Sequence, residues 1–445
     1  MKLWQKEYNL DQQIERFTVG KDRELDLELA AFDVLGSLAH AEMLCHIGLL
    51  EKEELQKIKQ ELIAIHAQIE EGNFQIEEGM EDVHSQIEYL LTQKLGAVGK
   101  KIHSGRSRND QVLVDLRLYF RDTIKNISLD LKALIKLLLQ QSEAHKSKLM
   151  PGYTHMQVAM LSSFGLWFGA YAESLIDDLK FLQATYHIIN QNPLGSAAGY
   201  GSSFPLDRAM TTQLLGFSNL NYNVMHAQMG RGKSELFLAF NLTAIAHTIG
   251  KLAMDVCLFS NQNYAFLQLP NEFTTGSSIM PHKKNPDVFE LIRARCNQIQ
   301  SLPNQVSLMT SNLTSGYHRD YQLLKEVLFP AIEQIRSCLQ ISTLAIGQLQ
   351  INQNLLDDEK YDYLYSVEVV NAYVLKGLPF RDAYQKVAQQ IQEETFEKPA
   401  SIQHTHLGSI GNLANEQIQA KLEEVWKDFE FEILEAKLKA LVYQS

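Results

Sequence analysis

Cysteine is scarce in this sequence, and the four cysteines present lie far apart: Cys45, Cys257, Cys296 and Cys338. They form no CxxC pair and show no metal-ligand spacing, which argues against a disulfide scaffold or a zinc site and favours a reducing compartment. With only 10 prolines and 24 glycines in 445 residues, collagen-like and low-complexity material is excluded. The composition, 45% hydrophobic and 21% charged, is typical of a globular chain, and its length suggests roughly two to four structural units.

Positive charge is also in short supply. The chain has 41 Lys and Arg residues against 53 Asp and Glu residues, which argues against nonspecific nucleic-acid binding and a polybasic membrane anchor. Residues 1–17 lack the apolar core of a signal peptide. The uncharged stretch 149–172 is interrupted by Pro151 and His155, so a buried helix fits it better than a membrane span. We therefore expect a cytoplasmic protein with no nucleic-acid or membrane partner.

Helical periodicity dominates the chain. From Asn109 to about Lys146, apolar residues recur every three or four positions, which predicts one helix roughly 55 Å long. Further helices are predicted at about 25–48, 52–71, 157–190, 232–262 and 285–312. Residues 236–250 are apolar on nearly every side, so other helices must surround them.

Alternating β patterns of any length are absent, as is a repeat of fixed period. The sequence therefore predicts an all-α chain in three parts: an N-terminal helical domain at 1–106, a central long-helix bundle at 107–347 and a C-terminal helical domain at 348–445. One chain has too few long helices to cover these apolar surfaces. We therefore expect self-association through the bundle as a symmetric homo-oligomer.

Two breaks near the long helices contain candidate site residues. HSGRSRNDQ (103–111) leads into the longest helix, and its two arginines and free backbone N–H groups suit carboxylates, although a simple helix cap explains Ser107 equally well. PGYTHMQ (151–157) places His155 at the head of a predicted buried helix. A lone histidine there is more often structural than catalytic, but its position beside Thr154 also suits proton transfer.

Two later breaks are also candidates. TTGSSIMPHKKNPDVFELIR (274–293) combines a small, polar segment suited to a mobile loop with two lysines, so it is either an anion pocket or a solvated linker. In GYHRDYQLLK (316–325), polar residues are spaced so that several share one face of a helix. That face either binds the polar end of a substrate or is an ordinary solvent-exposed surface. GSAAGYGSS (195–203) lacks the ending of a phosphate loop, and the HxH at 404–406 lacks a third ligand.

GSSIMPHKKNP resembles the signature GSSxMPxKxNP of the fumarase/aspartase superfamily, whose members are all-α homotetramers. SGRSRNDQV, PGYTHMQ, EDVHSQIE (81–88), NPLGSAAGYGSSFPLDR and YHRDYQLLK are together similar to the argininosuccinate lyase family, over roughly residues 80–325. The resemblance implies cleavage of argininosuccinate into arginine and fumarate without a cofactor or metal. It also implies a homotetramer whose active sites are shared between subunits.

The resemblance further implies individual roles. Ser277, the first serine of the GSS pair, and His155 would be catalytic, with Glu290 orienting the histidine. The implied substrate contacts are Ser107, Arg108, Asn109, Thr154, Lys283 and Asn285, with Tyr317, Gln322 and Lys325 for the arginine portion. Removing a proton next to a carboxylate leaves a dianion, which fixed donors and cations must stabilise. Whether Ser277 or His155 takes that carbon-bound proton stays open.

The chain departs from the family pattern in places. Residues 158–161 read VAML instead of the usual RAQP, Gly230 stands where an Asp is common, and the N-terminal substrate contact is either Thr18 or Asp22. Two alternatives therefore stay open: another fumarate-releasing lyase of the superfamily, or a catalytically silent structural homologue like the δ-crystallins. Intact Ser277, His155 and Lys283 argue against the silent homologue.

Overall fold

The computed structural model describes residues 11–402 and 404–443. The first ten residues, part of the segment predicted not to be a signal peptide, lie outside the described residues. The described residues form α-helices over most of their length, in this order: α1 (Gln12–Val19), α2 (Asp22–Leu25), α3 (Ala30–His46), α4 (Lys52–Glu70), α5 (Val83–Leu95), α6 (Ala97–Lys100), α7 (Arg108–Ala144), α8 (Phe164–Ile189), α9 (Arg208–Leu214), α10 (Val224–Met229), α11 (Lys233–Phe259), α12 (Asp287–Ile299), α13 (Leu302–Met309), α14 (Leu324–Ile346), α15 (Ser366–Leu375), α16 (Phe380–Gln392), α17 (Asn415–Lys427) and α18 (Phe431–Tyr443). Short 3₁₀ helices lie at Asp26–Leu29, Lys101–His103, Asn271–Phe273, Arg319–Leu323, Leu355–Asp357 and Glu359–Tyr365.

Strands in the described residues are few and pair two at a time. They are β1 (Leu149–Thr154), β2 (Gln157–Ser163), β3 (Gln191–Asn192), β4 (Asn219–Leu220), β5 (Leu267–Gln268) and β6 (Gln350–Ile351). The pairs are β1 with β2 and β5 with β6, both antiparallel, and β3 with β4, which is parallel. The predicted all-α class is confirmed.

The longest predicted helix is confirmed as α7. Its start is fixed by a capping box, in which the Ser107 hydroxyl accepts a hydrogen bond from Asn109 N–H and Asp110 reaches back to Ser107 N–H. Along its core side, Ile124, Leu131 and Leu138 are fully buried. With 37 residues, α7 spans about 55 Å.

The central core forms where α7, α8, α11 and α14 pack on one another, with α12 and α13 against α11. The predicted burial of 236–250 is largely confirmed: Leu238, Leu242 and Ile249 are fully buried, although Phe240 is half-exposed. The stretch Val224–Phe259 is long and apolar enough to cross a membrane, but 56% of its apolar window is buried inside the molecule. The core helix of a globular protein passes the same test of length and composition. The packing of α11 against α8, α12 and α14 identifies this stretch as such a core helix.

One predicted helix is partly wrong, and so is the expectation of no β pattern of any length. The helix predicted from 157 begins at Phe164, because 157–163 is strand β2, paired with β1 in a hairpin. His155 and Met156 have φ of +53° and +60°, a left-handed backbone that continues no α-helix. The Ser163 hydroxyl then accepts a hydrogen bond from Leu166 N–H and starts α8.

The helix predicted at 285–312 is also interrupted. The structure has α12 ending at Ile299 and α13 beginning at Leu302, with Pro303 in the first turn of α13. Proline has no N–H to continue the hydrogen bonds of the preceding helix, so the chain restarts there. The helix predicted at about 25–48 begins later, at Ala30, because a 3₁₀ turn over Asp26–Leu29 precedes α3. The helix predicted at 52–71 agrees with α4.

Within the described residues, two further cores accompany the central one. The second is built largely from α3, α4 and α5, and Leu441 from the C-terminal helix α18 joins it. The third is small and unites Val370, Ala383 and Val387 on α15 and α16. Leu422 on α17 is fully buried in the central core. The C-terminal helices α17 and α18 therefore pack back on the earlier parts of the chain.

Candidate active site

The long helices separate the predicted site residues into two groups. Ser107 to Asn109 precede or begin α7, whereas the hairpin with His155 follows the end of α7, about 55 Å away along its axis. Lys325 begins α14, and α14 ends at Ile346, close to β6, which pairs with β5. One end of the bundle therefore holds the 103–111 and 316–325 segments, and the other holds the hairpin.

A cavity of about 180 Å³ lies at the first end. Its walls come from five separate parts of the chain: Asp22, Asp26, Glu81, Asp82, His84, Arg108, Asn109, Val112, Arg231, Tyr317, Arg319, Gln322 and Lys325. Five residues predicted to contact substrate thus converge here, namely Arg108, Asn109, Tyr317, Gln322 and Lys325. Ser107 lies next to them as the cap of α7.

Carboxylates of the EDVHSQIE segment hold two arginines of the cavity. Arg108 pairs with Glu81 at 3.2 Å and also with Asp82. Arg319 pairs with the other oxygen of Glu81 at 2.7 Å. Charge-assisted contacts of this kind fix long side chains before a ligand arrives. The two arginines are therefore preorganised, and the segments 81–88, 103–111 and 316–325 are tied together.

Lys325 is a deeply buried cation of the cavity. Its side chain is 4% exposed, and its Nζ lies 2.6 Å from Asp22 Oδ1 and 2.5 Å from Asp26 Oδ1. Burial by itself lowers the pKa of Lys325, but the charges of Asp26 and Asp22 outweigh it and raise the pKa above its ordinary value. Burial also raises the pKa of Asp22 to about 6, although Lys325 opposes that shift. These three groups form a buried ion triad.

The loop that carries Arg108 and Asn109 is held by a buried carboxylate. Asp110 is fully buried, and its Oδ2 accepts hydrogen bonds from Gly195 N–H at 2.9 Å and Ala197 N–H at 3.0 Å. Its Oδ1 accepts from Ser107 N–H at 2.7 Å. The glycine-rich segment 195–203 therefore holds the start of α7 in position.

Of the two candidates for the N-terminal substrate contact, Thr18 and Asp22, only Asp22 is among the residues that line the cavity. The Thr18 hydroxyl instead donates to the Ile14 carbonyl inside α1. The Thr18 carbonyl accepts hydrogen bonds from Gln322 Nε2 at 3.0 Å and Arg319 Nη2 at 2.8 Å. Thr18 therefore anchors cavity side chains through its backbone.

Arg231 also lines the cavity, although the sequence left its role in doubt. It is 5% exposed, its Nε lies 2.8 Å from Glu235 Oε1, and its Nη2 donates to the Tyr321 carbonyl at 3.0 Å. A Cβ added at Gly230 would lie only 2.8 Å from Nη2 of the buried Arg117. The glycine therefore leaves room for the buried Arg117 side chain.

His155 and Thr154 lie at the hairpin, and both are exposed. Thr154 pairs with Gln157, so His155 and Met156 form the two-residue turn between the strands. Both turn residues have positive φ, as two-residue hairpin turns of type I′ require. The prediction that His155 begins a buried helix is therefore wrong: it lies at the tip of a hairpin in a strained conformation.

The GSS segment forms a loop closed at its base. Asn285 N–H donates to the Thr275 carbonyl at 2.9 Å, and inside the loop the Ser277 hydroxyl accepts from Met280 N–H at 3.2 Å. Lys283 is exposed, and Glu290 on α12 pairs with Arg293 at 3.9 Å. In the part of the chain that the structure describes, no hydrogen bond or ion pair joins Ser277, His155 and Glu290.

This loop borders a second, larger cleft of about 730 Å³. Thr274, His282 and Lys284 line it from the loop side, and residues of the 260–269 and 350–354 segments line it from the other. Tyr153 of β1 packs against Tyr264 of the first of these segments, with ring centroids 5.6 Å apart. The GSS loop and the His155 hairpin therefore share the end of the bundle opposite the 180 Å³ cavity.

Comparison with known proteins shows which families the chain is similar to. The sequence profile of a family described as lyase matches residues 6–301. An argininosuccinate lyase from Bacteroides thetaiotaomicron is 58% identical over 441 residues, which cover 99% of each chain. Another from Thermotoga neapolitana is 41% identical over 88% of this chain and 99% of its own. Among solved structures, an EDDS lyase variant with bound fumarate has a TM-score of 0.76 at 20% identity, covering 97% of this chain and 95% of that one.

The bundle of long helices, the charged cavity at its end and the profile match identify the chain as a member of this lyase family. The similarity to solved lyases at 20% identity supports the fold alone. Because its relatives match over nearly their whole length, the chain belongs more narrowly to the argininosuccinate lyase family.

Proposed function

We propose that the chain is a carbon–nitrogen lyase that cleaves argininosuccinate reversibly into arginine and fumarate, the final step of arginine biosynthesis. The observation that carries this proposal is the convergence of Arg108, Asn109, Tyr317, Gln322 and Lys325 on one cavity in a member of the argininosuccinate lyase family. These side chains come from segments more than 200 residues apart and offer both cationic and neutral donors. Such a set suits a substrate that carries several carboxylates and a guanidinium.

The proposed chemistry is an acid–base elimination. A base removes the proton from the carbon next to a carboxylate, which leaves a dianion, and the C–N bond then breaks as an acid protonates the leaving nitrogen. Ser277 and His155 supply the base and the acid, and Glu290 orients His155. Lys283, Asn285 and the loop N–H groups stabilise the dianion, which is the largest contribution in reactions of this type. Ser107 and Thr154 complete the substrate contacts.

Residues at both ends of one bundle must meet for this chemistry. The cavity with Arg108 and the hairpin with His155 lie about 55 Å apart along α7, so one chain does not supply both. We propose that a symmetric homotetramer brings the cavity of one subunit to the hairpin and GSS loop of others. Half-exposed apolar side chains on the bundle support this assembly, among them Phe240, Met254 and Leu291.

The altered segment 158–161 fits the same proposal. Val158 and Met160 are 41% and 44% exposed and lie on β2 of the hairpin, beside His155. Apolar side chains at such positions suit contact with a neighbouring subunit better than contact with water.

We further propose that the protein is located in the cytoplasm. We also propose that the chain divides into an N-terminal helical domain at 1–106, a central long-helix bundle at 107–347 and a C-terminal helical domain at 348–445.

The activity is tested by the ultraviolet absorbance of fumarate with argininosuccinate, adenylosuccinate, malate and aspartate in turn. We expect release of fumarate from argininosuccinate, with the other substrates far slower. Preference for another succinyl compound, or no turnover with any, would contradict the proposal.

Shared sites are tested by mixing two inactive variants, Ser277→Ala and His155→Asn. Hybrid tetramers contain some sites in which both residues are intact, so we expect partial recovery of activity after subunit exchange. Exchange is verified by mass spectrometry of differently labelled subunits, and light scattering gives the oligomeric state. Verified exchange without recovery would mean that one subunit supplies both Ser277 and His155 to each site, and would contradict the proposed division of these two residues between subunits.

A further inference from the structure

A buried histidine beside the cavity has no role in the proposed elimination chemistry. His84 belongs to the EDVHSQIE segment and lies in the first turn of α5, 4% exposed. Its ring lines the 180 Å³ cavity together with Asp26, Arg108 and Lys325. A buried, polar ring that faces a substrate cavity requires an explanation.

One carboxylate holds a nitrogen of this ring by a hydrogen bond, and a second carboxylate from another helix lies beside it. His84 Nδ1 lies 2.5 Å from Asp33 Oδ2 on α3 and 3.4 Å from Asp115 Oδ2 on α7. Both carboxylates are fully buried, at 2% and 1% exposure. Because Nδ1 is occupied by Asp33, Nε2 is the ring nitrogen left for the cavity.

A metal ion shared by Asp33, His84 and Asp115 does not fit this geometry. Two ligand atoms at roughly 2.1 Å from one ion lie about 3 Å or more apart. The 2.5 Å between Nδ1 and Oδ2 is shorter, as in a charge-assisted hydrogen bond. His84 and Asp33 therefore form a hydrogen-bonded pair, and Asp115 lies close to it.

The charges around His84 favour its protonated form. Burial by itself lowers the pKa of His84, but the hydrogen bond and charge of Asp33, with the charges of Asp115 and Asp26, raise it above its ordinary value. The His84 cation in turn lowers the pKa of Asp33 against the effect of burial. Burial and the charge of Asp33 raise the pKa of Asp115 well above its ordinary value, so Asp33 is the main charged partner of His84, and Arg106 adds a positive charge near both carboxyls.

We infer that His84 is a substrate-contacting cation whose Nε2–H binds the α-carboxylate of the arginine portion, while Asp33 holds its ring through Nδ1. The inference rests on the proposed function, since Tyr317, Gln322 and Lys325 line the same cavity and are the proposed contacts of that portion. A positively charged donor fixed by a buried carboxylate binds an anion without first having to be ordered.

The experiment compares arginine with argininamide, which keeps the size of the ligand but loses its negative charge. Binding of each ligand to the full-length protein is measured by titration calorimetry. This measurement does not depend on turnover, so a variant with low activity is still informative. Wild type should bind arginine more tightly. In His84→Gln, whose amide keeps a neutral donor near the position of Nε2, we expect arginine to bind at least about tenfold more weakly, with argininamide unchanged within twofold.

A matched control and a second variant complete the test. His66→Gln removes another buried histidine, on α4 beside Glu70 and outside the cavity lining, and should leave both affinities unchanged. Arginine affinity should fall as the pH rises and His84 loses its proton. In Asp33→Asn the imidazolium loses its main partner and the pKa of His84 falls, so this loss of affinity should occur about one pH unit or more lower.

The outcomes separate the inference from the proposed function. Absence of argininosuccinate cleavage by wild type would overturn the function. If wild type is active but His84→Gln weakens both ligands equally, or neither, or if Asp33→Asn leaves the pH profile in place, the inference is wrong. A stoichiometric metal in the active protein, lost in His84→Gln, would also overturn it.

Discussion

Removing the cation of the buried ion triad should destabilise the protein in a pH-dependent way. In Lys325→Met the methionine occupies similar space, but Asp22 and Asp26 lose a partner within 2.6 Å. Breaking a buried ion pair by removing one member costs about 3–5 kcal/mol, because a charge is left without compensation. We expect a loss of that size in the free energy of unfolding at pH 8.

The loss should shrink as the pH falls. The pKa of Asp22 is already about 6 with Lys325 present, and removing that lysine raises it further. The folded variant therefore binds a proton more readily than the unfolded chain between pH 8 and pH 5, so folding gains about 1.4 kcal/mol for each pKa unit of difference. At pH 5 we expect the variant to recover at least roughly 1–2 kcal/mol of its loss.

Urea unfolding followed by circular dichroism at both pH values checks this prediction. Adding Asp22→Asn to Lys325→Met should restore part of the stability at pH 8 and little at pH 5, since the asparagine replaces a carboxyl that is already protonated there. Lys376→Met, at an exposed lysine, serves as the control and should change stability by less than about 0.5 kcal/mol. A loss equal at both pH values, or no rescue by Asp22→Asn, would refute the reasoning.

Three further predictions concern other parts of the site. Asp110→Ala leaves the N–H groups of Ser107, Gly195 and Ala197 without their acceptor, so we expect a loss of roughly 2–4 kcal/mol in the free energy of unfolding measured with urea, and a raised KM for argininosuccinate. An unchanged KM would mean that Asp110 does not position the loop of Arg108 and Asn109. Met156→Gly replaces a side chain at φ +60° and should stabilise the hairpin by about 1 kcal/mol, whereas Met156→Val should destabilise it; the reverse order of melting temperatures would contradict this. Ser277→Ala should abolish fumarate release while the melting temperature stays within about 2 °C, because Ser277 lies on a loop outside the core; substantial residual turnover would disprove its role.

The helical part of the fold could be predicted because apolar periodicity over many turns leaves one interpretation. Asn109 to Lys146 was predicted as one helix, and α7 spans Arg108–Ala144. The hairpin could not be predicted in the same way. Its turn, His155–Met156, has neither Gly nor Asn, and a short apolar run such as VAML fits a strand and a helix equally well. Pro303, by contrast, was a readable signal for the break between α12 and α13.

The cavity was only partly predictable from sequence. Arg108, Asn109 and Lys325 were predicted from their segments and the family resemblance, and the structure brings them together. The choice between Thr18 and Asp22 depended on the path of the chain through the short turns before α3, which no periodicity fixes. The partners of His84 come from α3 and α7, so its enclosure becomes visible only once those helices pack.

The triad of Asp22, Asp26 and Lys325 joins side chains about 300 positions apart. A nascent chain on the ribosome acquires the two acids early and the lysine only after α1 to α13 have been synthesised. Products of premature termination before codon 325 would contain paired acids without their cation and would lack the charged wall of the cavity. Such fragments should be recognised by cellular proteases and contribute no turnover.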